Sequence, residues 1–383
     1  MEIRMVDTIS QYEKVQDQID QAVLDVVKSG RYINGPVVKS FSEDLGKFLD
    51  VPYVIPCANG TDALQIALMA LGLEPGDEVI TPTFTYIATV EVISLLRLKP
   101  VFVEVDAVSF NISPEAIEKA ITPKTKAIMP VHLYGQAADM EAIMAIAKKH
   151  NLHVVEDTAQ AIGAQCHFSD GTSLSAGTVG SIGTTSFYPS KNLGAYGDGG
   201  AIFSRDAELG DYLRVICNHG AKKKYYHDNI GVNSRLDAIQ AAILQIKLGQ
   251  LATYNAARVA AAKVYDELFS DVEGVITPSW KDDGSHVFHQ YTLKIEAGRA
   301  VRDAIREKLA ERGIPSMIYY PIPIHMQGGY KQYGYKEGDF PVSERLCEQV
   351  LSLPMHSELT REQQVYIADH FKEIFNELLV KIN

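Results

Sequence analysis

The sequence lacks the marks of a stapled or metal-held scaffold: its four cysteines, Cys57, Cys166, Cys217 and Cys347, are scattered and form no CxxC pair. Thiols placed this way read as reduced and mostly buried, as in a cytoplasmic protein. No apolar run approaches the length of a membrane span, and the opening MEIRMVDTISQYEKVQDQIDQ has no apolar signal core, so the protein is expected to stay where it is made. Positive charge is not in excess. The balance of 36 Lys+Arg against 48 Asp+Glu leaves a net charge of -12, which argues against wrapping of nucleic acid or of an anionic membrane. An anionic ligand must then be met by local groups. His286 and His289 fall on opposite faces of a strand-like stretch, so no metal site is expected there. Neither GxGxxG nor GxxxxGK(S/T) occurs, and Gly177, Gly180 and Gly183 do not have dinucleotide-loop spacing, which disfavours an unrelated nucleotide-binding protein. Internal repeats and low-complexity segments are also missing.

What is present is a globular composition, 46% hydrophobic and 22% charged over 383 residues, long enough for one large domain and a smaller one. Short strand-like runs recur at Tyr53–Pro56, Glu78–Thr81, Val101–Val105, Lys126–Val131, Leu152–Glu156, Thr184–Phe187 and Gly200–Phe203. Helix-length segments, such as Gly60–Leu71, Tyr86–Leu96, Pro114–Ala120 and Ala138–His150, lie between most of them. The alternation predicts an α/β fold with a mainly parallel sheet flanked by helices, and such sheets bind ligands at the carboxyl ends of their strands. A long helix is expected from Asn233, its N-cap, through Leu236, Ile239, Ile243 and Ile246 and past Tyr254. Beyond it the pattern changes to strand-like Phe288–Ile295, helical Arg302–Arg312, strand-like Met317–Tyr320 and a last helix from Thr360. The division expected is a large domain over 1–250, with segment 1–35 near the site, and a small α/β domain over 251–383.

The chemistry concentrates in residues 154–200. The run VVEDTAQAIGA delivers Asp157 to a strand end, and Lys191 follows in SFYPSKNLGAYGDGGAI, a turn poor in other charges. A carboxylate at a strand end and a lone lysine suit pyridoxal phosphate: the amine forms the Schiff base, and the carboxylate keeps a proton on the pyridine nitrogen. Helix capping by Asp157 and a solvated Lys191 is the plain alternative. Ala58-Asn59-Gly60-Thr61-Asp62 follows a strand and opens a helix, so backbone N–H groups and the Thr61 hydroxyl face an anion, with Thr61 or Asp62 as ordinary caps otherwise. Ser186 is a second hydroxyl placed for the same phosphate, or a satisfied strand serine.

The blocks ANGTDAL, TPTFTYIAT, EDTAQAIGA, SFYPSKNLGAYGDGGAI and GVNSRLDAIQAAIL, in this order, resemble the DegT/DnrJ/EryC1/StrS sugar aminotransferases of PLP fold type I, over almost the whole chain. The resemblance implies the aspartate-aminotransferase-like fold with a smaller C-terminal α/β domain. It implies Lys191 as the Schiff-base lysine and Asp157 as the pyridinium partner, with Gln160 by the ring's phenolic oxygen. Ala159 would pack on one ring face and Tyr86 on the other, Phe84 being the alternative to Tyr86. Gly60, Thr61, Asp62 and Ser186 would surround the phosphate, and Asn233 would reach it from the neighbouring subunit of a homodimer. Arg235, on the same turn, suits bidentate contact with a carboxylate or phosphate, or else pairs with Asp237. Lys222, Lys223 and Lys224 read first as a solvated run and second as a diphosphate contact. Tyr319, Tyr320 and His325 lie in YYPIPIHMQ, near the sugar in this family, although Tyr319 stands where many members have histidine.

The implied reaction is transamination of a nucleotide-linked keto sugar with glutamate as donor, in cell-surface polysaccharide biosynthesis. SKNLGAYGDGGAIF is most similar to C3 aminotransferases of UDP-2-acetamido-2-deoxy-3-keto-hexuronic acids. A neutral dTDP- or UDP-linked sugar aminated at C3 or C4 is the alternative. Lys191 speaks against a PLP-dependent sugar dehydratase, which has histidine there, and the retained cofactor positions speak against a non-catalytic regulator.

Overall fold

The computed structural model describes residues 2–382. A seven-stranded sheet runs in the spatial order Tyr53–Cys57, Gly200–Ser204, Ile182–Ser186, His153–Asp157, Thr125–Ile128, Glu78–Pro82, Lys99–Val103. The last five of these pair in parallel. Gly200–Ser204 runs antiparallel to both of its neighbours. Its apolar run reads the same in either direction, so periodicity alone does not report the reversal. The register sets Gly200 opposite both Cys57 and Ser186, which brings the ends of three strands to one edge of the sheet.

Helices cover the sheet, as the βαβ pattern predicts, and three unforeseen ones, Thr8–Glu13, Gln16–Ser29 and Pro36–Leu49, precede the first strand. The third presents Phe41, Leu45 and Leu49 to a cluster that includes Phe187, Leu193 and Leu244. All four cysteines are buried and unpaired. A three-stranded antiparallel sheet, Val275–Ile276, Tyr291–Ile295 and Val350–Leu353, packs with the helices Leu251–Phe269, Arg299–Glu311 and Arg361–Ile382 around a core of Tyr265, Tyr291, Leu293, Phe371 and Phe375.

Two expectations are corrected here. The helix expected from Asn233 begins at Ala238, with Asp237 before it, and breaks at Gly249–Gln250 before Leu251–Phe269. Asn233 instead pairs with Asn218 in an isolated β-bridge, so backbone pairing fixes it outside any helix. Met317–Tyr320 is not a strand; only Met317 bridges to Ser352.

The glycines at 177 and 180 have a structural use. Glu156 is fully buried next to Asp157, and its carboxylate accepts hydrogen bonds from the backbone N–H groups of Gly177 (2.8 Å), Val179 (2.8 Å) and Gly180 (2.6 Å). His132 Nε2 lies 2.9 Å from the same carboxylate, and Ala138 N–H donates to His132 Nδ1. A buried charge this well solvated by fixed dipoles is stable in place but costly to disturb. Glu156→Gln keeps the volume yet turns an amide N–H toward donors, and is expected to lower unfolding stability by about 3 kcal/mol. A urea midpoint equal to that of the unaltered protein would mean that these donors find other partners.

Candidate active site

Asp157, Lys191 and the Gly60 loop each reach their place by following a strand end. The strand His153–Asp157 ends with the Asp157 backbone locked on both sides: its N–H donates to Pro130 O, and its carbonyl accepts from His132 N–H. Asp157 is 5% exposed, and its two carboxylate oxygens accept from different donors, Oδ1 from Ala159 N–H (3.1 Å) and Oδ2 from the Thr89 hydroxyl (2.9 Å). Lys191 follows the strand Ile182–Ser186, in a turn where its N–H donates to Tyr188 O. Burial pushes its amine down from 10.5 to about 8, against the opposing pull of Asp157.

The helix Gly60–Ala70 begins where the strand Tyr53–Cys57 stops. Its cap is Asn59, whose side chain accepts from Asp62 N–H (2.8 Å), not the expected Thr61 or Asp62. A Cβ on Gly60 would fall 2.7 Å from Ser186 Cβ, and one on Gly200 would fall 2.5 Å from the Asn59 carbonyl. Only glycines let these three segments close around the helix N-terminus. The result is a cradle of backbone N–H groups with the Thr61 and Ser186 side chains at its rim, open to an anion. The buried Ser234 hydroxyl accepts from Ala58 N–H (3.0 Å) and ties the turn carrying Asn233 and Arg235 to this loop.

All of this opens on one cavity of about 860 Å³. Gly60, Thr61, Asp62, Asp157, Ala159, Gln160, Ser186 and Lys191 line it, and so do Tyr86, Tyr319 and Tyr320. Tyr86 is half exposed, with its ring 6.2 Å from that of Tyr320. Phe84, its alternative, is buried against Phe110, Tyr134 and Tyr320 and does not line the cavity. Gln160 uses both ends of its amide within the protein, accepting from Tyr134 N–H (2.7 Å) and donating to the Tyr320 hydroxyl (3.1 Å). Burial raises the Tyr320 phenol, so it stays protonated.

Three expected residues lie apart from this wall. His325 is fully buried with both ring nitrogens engaged, Nδ1 with the Thr83 hydroxyl (2.8 Å) and Nε2 with Glu344 (3.1 Å), which removes it from the substrate contacts of this cavity. Asn233 is exposed and Arg235 half-buried, and neither lines the cavity of its own chain. Lys222, Lys223 and Lys224 are exposed, Lys223 over the Tyr226 ring and Lys224 over Tyr225. The cavity wall also contains Thr85, Tyr134, Tyr188, Asp198 and His289, none of them foreseen. Tyr134 and His289 lie far from the glycine-rich blocks in sequence, and the pairing of Val287 and Gln290 N–H groups with Gly135 and Tyr134 carbonyls, and of Ala137 N–H with the Ser285 carbonyl, brings the two segments together. Burial, with the charges of Lys191 and Arg258, pushes His289 well below its ordinary value, so its imidazole is neutral.

The donor set fits pyridoxal phosphate: a cradle that a Cβ would fill is open to an anion, and a fixed carboxylate and a lysine with a depressed pKa line the same cavity. Comparison with known proteins gives the same direction. The model of the DegT/DnrJ/EryC1/StrS aminotransferase family matches residues 13–372. The chain is 47% identical to a Geobacillus stearothermophilus protein named pleiotropic regulatory protein, covering 98% of this chain and 99% of that one. It is 44% identical to the UDP-2-acetamido-2-deoxy-3-oxo-D-glucuronate aminotransferase of Pseudomonas aeruginosa, over 93% of this chain and 96% of the relative. Among solved structures, S. venezuelae DesV in complex with a ketimine intermediate superposes with a TM-score of 0.92 at 39% identity, covering 98% of each chain.

Proposed function

The chain belongs to the DegT/DnrJ/EryC1/StrS aminotransferase family and is a pyridoxal-phosphate-dependent aminotransferase of nucleotide-linked keto sugars; within that activity we propose that it aminates C3 of a UDP-linked 2-acetamido-2-deoxy-3-keto-hexuronic acid, with glutamate as donor. The observation that carries the site assignment is the convergence of Lys191, Asp157 and the Gly60–Ser186 cradle on one cavity.

In this reading Gly60, Thr61 and Ser186 would hold the cofactor's phosphate, beside Asp62. Asp157 would hold its ring nitrogen, Ala159 and Tyr86 would flank its ring, and Gln160 would lie by its phenolic oxygen. When bound, pyridoxal phosphate supplies an electron sink for the carbon that loses a proton. Lys191 would hold the cofactor through its amine and would move a proton at the donor's Cα. An amine pushed to about 8 has a far larger free-base fraction near neutral pH than an ordinary lysine, which suits a general base. Tyr319 and Tyr320 face the sugar.

The 44% identity to the Pseudomonas enzyme supports the uronate, and one observation favours the alternative, a neutral dTDP- or UDP-linked keto sugar: among the described residues, Lys191 is the only lysine or arginine in the cavity wall. A uronate carboxylate therefore needs a cation from outside this chain's own wall, and Arg235 of a second copy, with Asn233 at the phosphate, supplies it in a homodimer. The test offers glutamate and three sugars: the UDP-linked 3-keto uronate, its counterpart without the C6 carboxylate, and a dTDP-linked neutral keto sugar. Arg235→Lys keeps the charge but loses the fork, and is expected to cost about tenfold in kcat/KM with the uronate alone. Equal losses with all three sugars put Arg235 elsewhere, and turnover of the dTDP sugar only removes the uronate. A second measurement addresses the shared site. Mixing inactive Lys191→Ala and Asn233→Ala chains is expected to restore activity, since one composite site then has both residues intact; verified subunit exchange without recovery counts against sharing.

A further inference from the structure

Resting on the reading of Asp157 as partner of the cofactor's ring nitrogen, we propose that Thr89 is a positioning residue that sets the Asp157 carboxylate for that contact, with Thr85 behind it as a relay. Thr89 stands in the first turn of the helix Ala88–Leu95 and is fully buried. Its Oγ1 lies 2.9 Å from Asp157 Oδ2. On its other side, 3.3 Å away, is Thr85 Oγ1, in the cavity wall.

The direction of this chain follows from valence. An ionised carboxylate only accepts, so the single Thr89 hydroxyl proton points at Asp157. The hydrogen in the Thr85–Thr89 contact must then come from Thr85. Two hydroxyls in series polarise each other and strengthen the terminal bond.

The opposite oxygen, Oδ1, accepts from Ala159 N–H at 3.1 Å. Donors on both oxygens fix the rotation of the carboxylate plane about its Cβ–Cγ bond, which a backbone anchor alone leaves free. Each oxygen keeps a lone pair for the cavity. Nothing else on this helix performs that task, and Thr89 itself does not line the cavity.

The test measures the dissociation constant of pyridoxal 5′-phosphate by fluorescence and the visible circular dichroism of the bound cofactor, in the full-length protein. Thr89→Val has the same shape without the hydroxyl, and is expected to weaken retention about tenfold and reduce the dichroism, whereas Thr89→Ser returns retention to within about twofold of the unaltered protein. Thr85→Val is expected to cost about threefold, acting only through Thr89. In an Asp157→Asn background, adding Thr89→Val is expected to change nothing further. Equal losses for valine and serine at position 89, no loss for valine, or an undiminished loss in the Asp157→Asn background each overturn the proposal. Unchanged retention by Asp157→Asn alone overturns the reading of Asp157 itself, and the role of Thr89 with it.

Discussion

Lys191→Ala is expected to lower transamination by at least about 10⁴-fold while leaving the fold intact, because the lysine supplies both the attachment of the cofactor and the proton transfer. Borohydride treatment of the cofactor-loaded, unaltered protein is expected to fix the cofactor on the peptide containing Lys191 and on no other. The amine's position near 8 adds a pH signature. Uptake of pyridoxal phosphate by the cofactor-free protein should accelerate through about pH 8 and level off above it, whereas an exposed lysine keeps gaining free base toward its ordinary 10.5. The linked stability has a definite sign. The folded pKa is depressed, so the unfolded chain binds the proton more tightly, and the cofactor-free protein gains stability as pH rises from about 8 toward 10.5. The variant is indispensable as a control because Lys247 is also pushed to about 8 by burial, yet it lies over the Tyr196 ring and outside the cavity wall. Labelling of any peptide without Lys191, or an uptake midpoint near 10, would remove the assignment.

Asp157→Asn is expected to reduce turnover by about 10²–10³-fold and to weaken cofactor retention, since a neutral amide cannot hold the charge on the ring nitrogen that makes the cofactor an electron sink. The structure sharpens the expectation for Asp157→Glu. Asp157 is clamped at its backbone and at both oxygens, so the longer side chain keeps the charge but cannot keep the two donors at 2.9 and 3.1 Å. It should therefore recover only part of the loss, measured as kcat with saturating cofactor. Near-normal turnover by the asparagine variant would take the electron-sink role away from this residue.

The fold was legible where local pattern and layer agree. Pro114–Ala120 is a helix with the expected bounds, and Gly60, Ala138 and Thr360 each mark a helix start to within about two residues, because capping and apolar spacing act within a few residues of chain. Where pattern and layer diverged, reading failed. Leu236 carries helical spacing, but it is buried by the turn that precedes the helix, so its apolarity reported burial rather than periodicity. Lys191, Asp157 and the Gly60 loop stood out because a lone charge among small residues, a carboxylate at a strand end and a glycine at a helix start each have a local chemical reason.

Their partners had none. Thr89 is one threonine in an apolar helix, His289 one histidine in a strand-like run, and Glu156 an acidic residue beside the one that drew attention. What the chain determined by itself was the βαβ order, the ends at which chemistry could stand and the residue types suited to a pyridine cofactor, since these depend on short-range sterics and on valence. Tertiary structure alone decided the reversed strand at Gly200–Ser204, the turning of His325 into the core and the Thr89 donor on Asp157. Each depends on segments far apart in sequence competing for the same buried volume and the same hydrogen-bonding groups, and only the closed fold settles that competition.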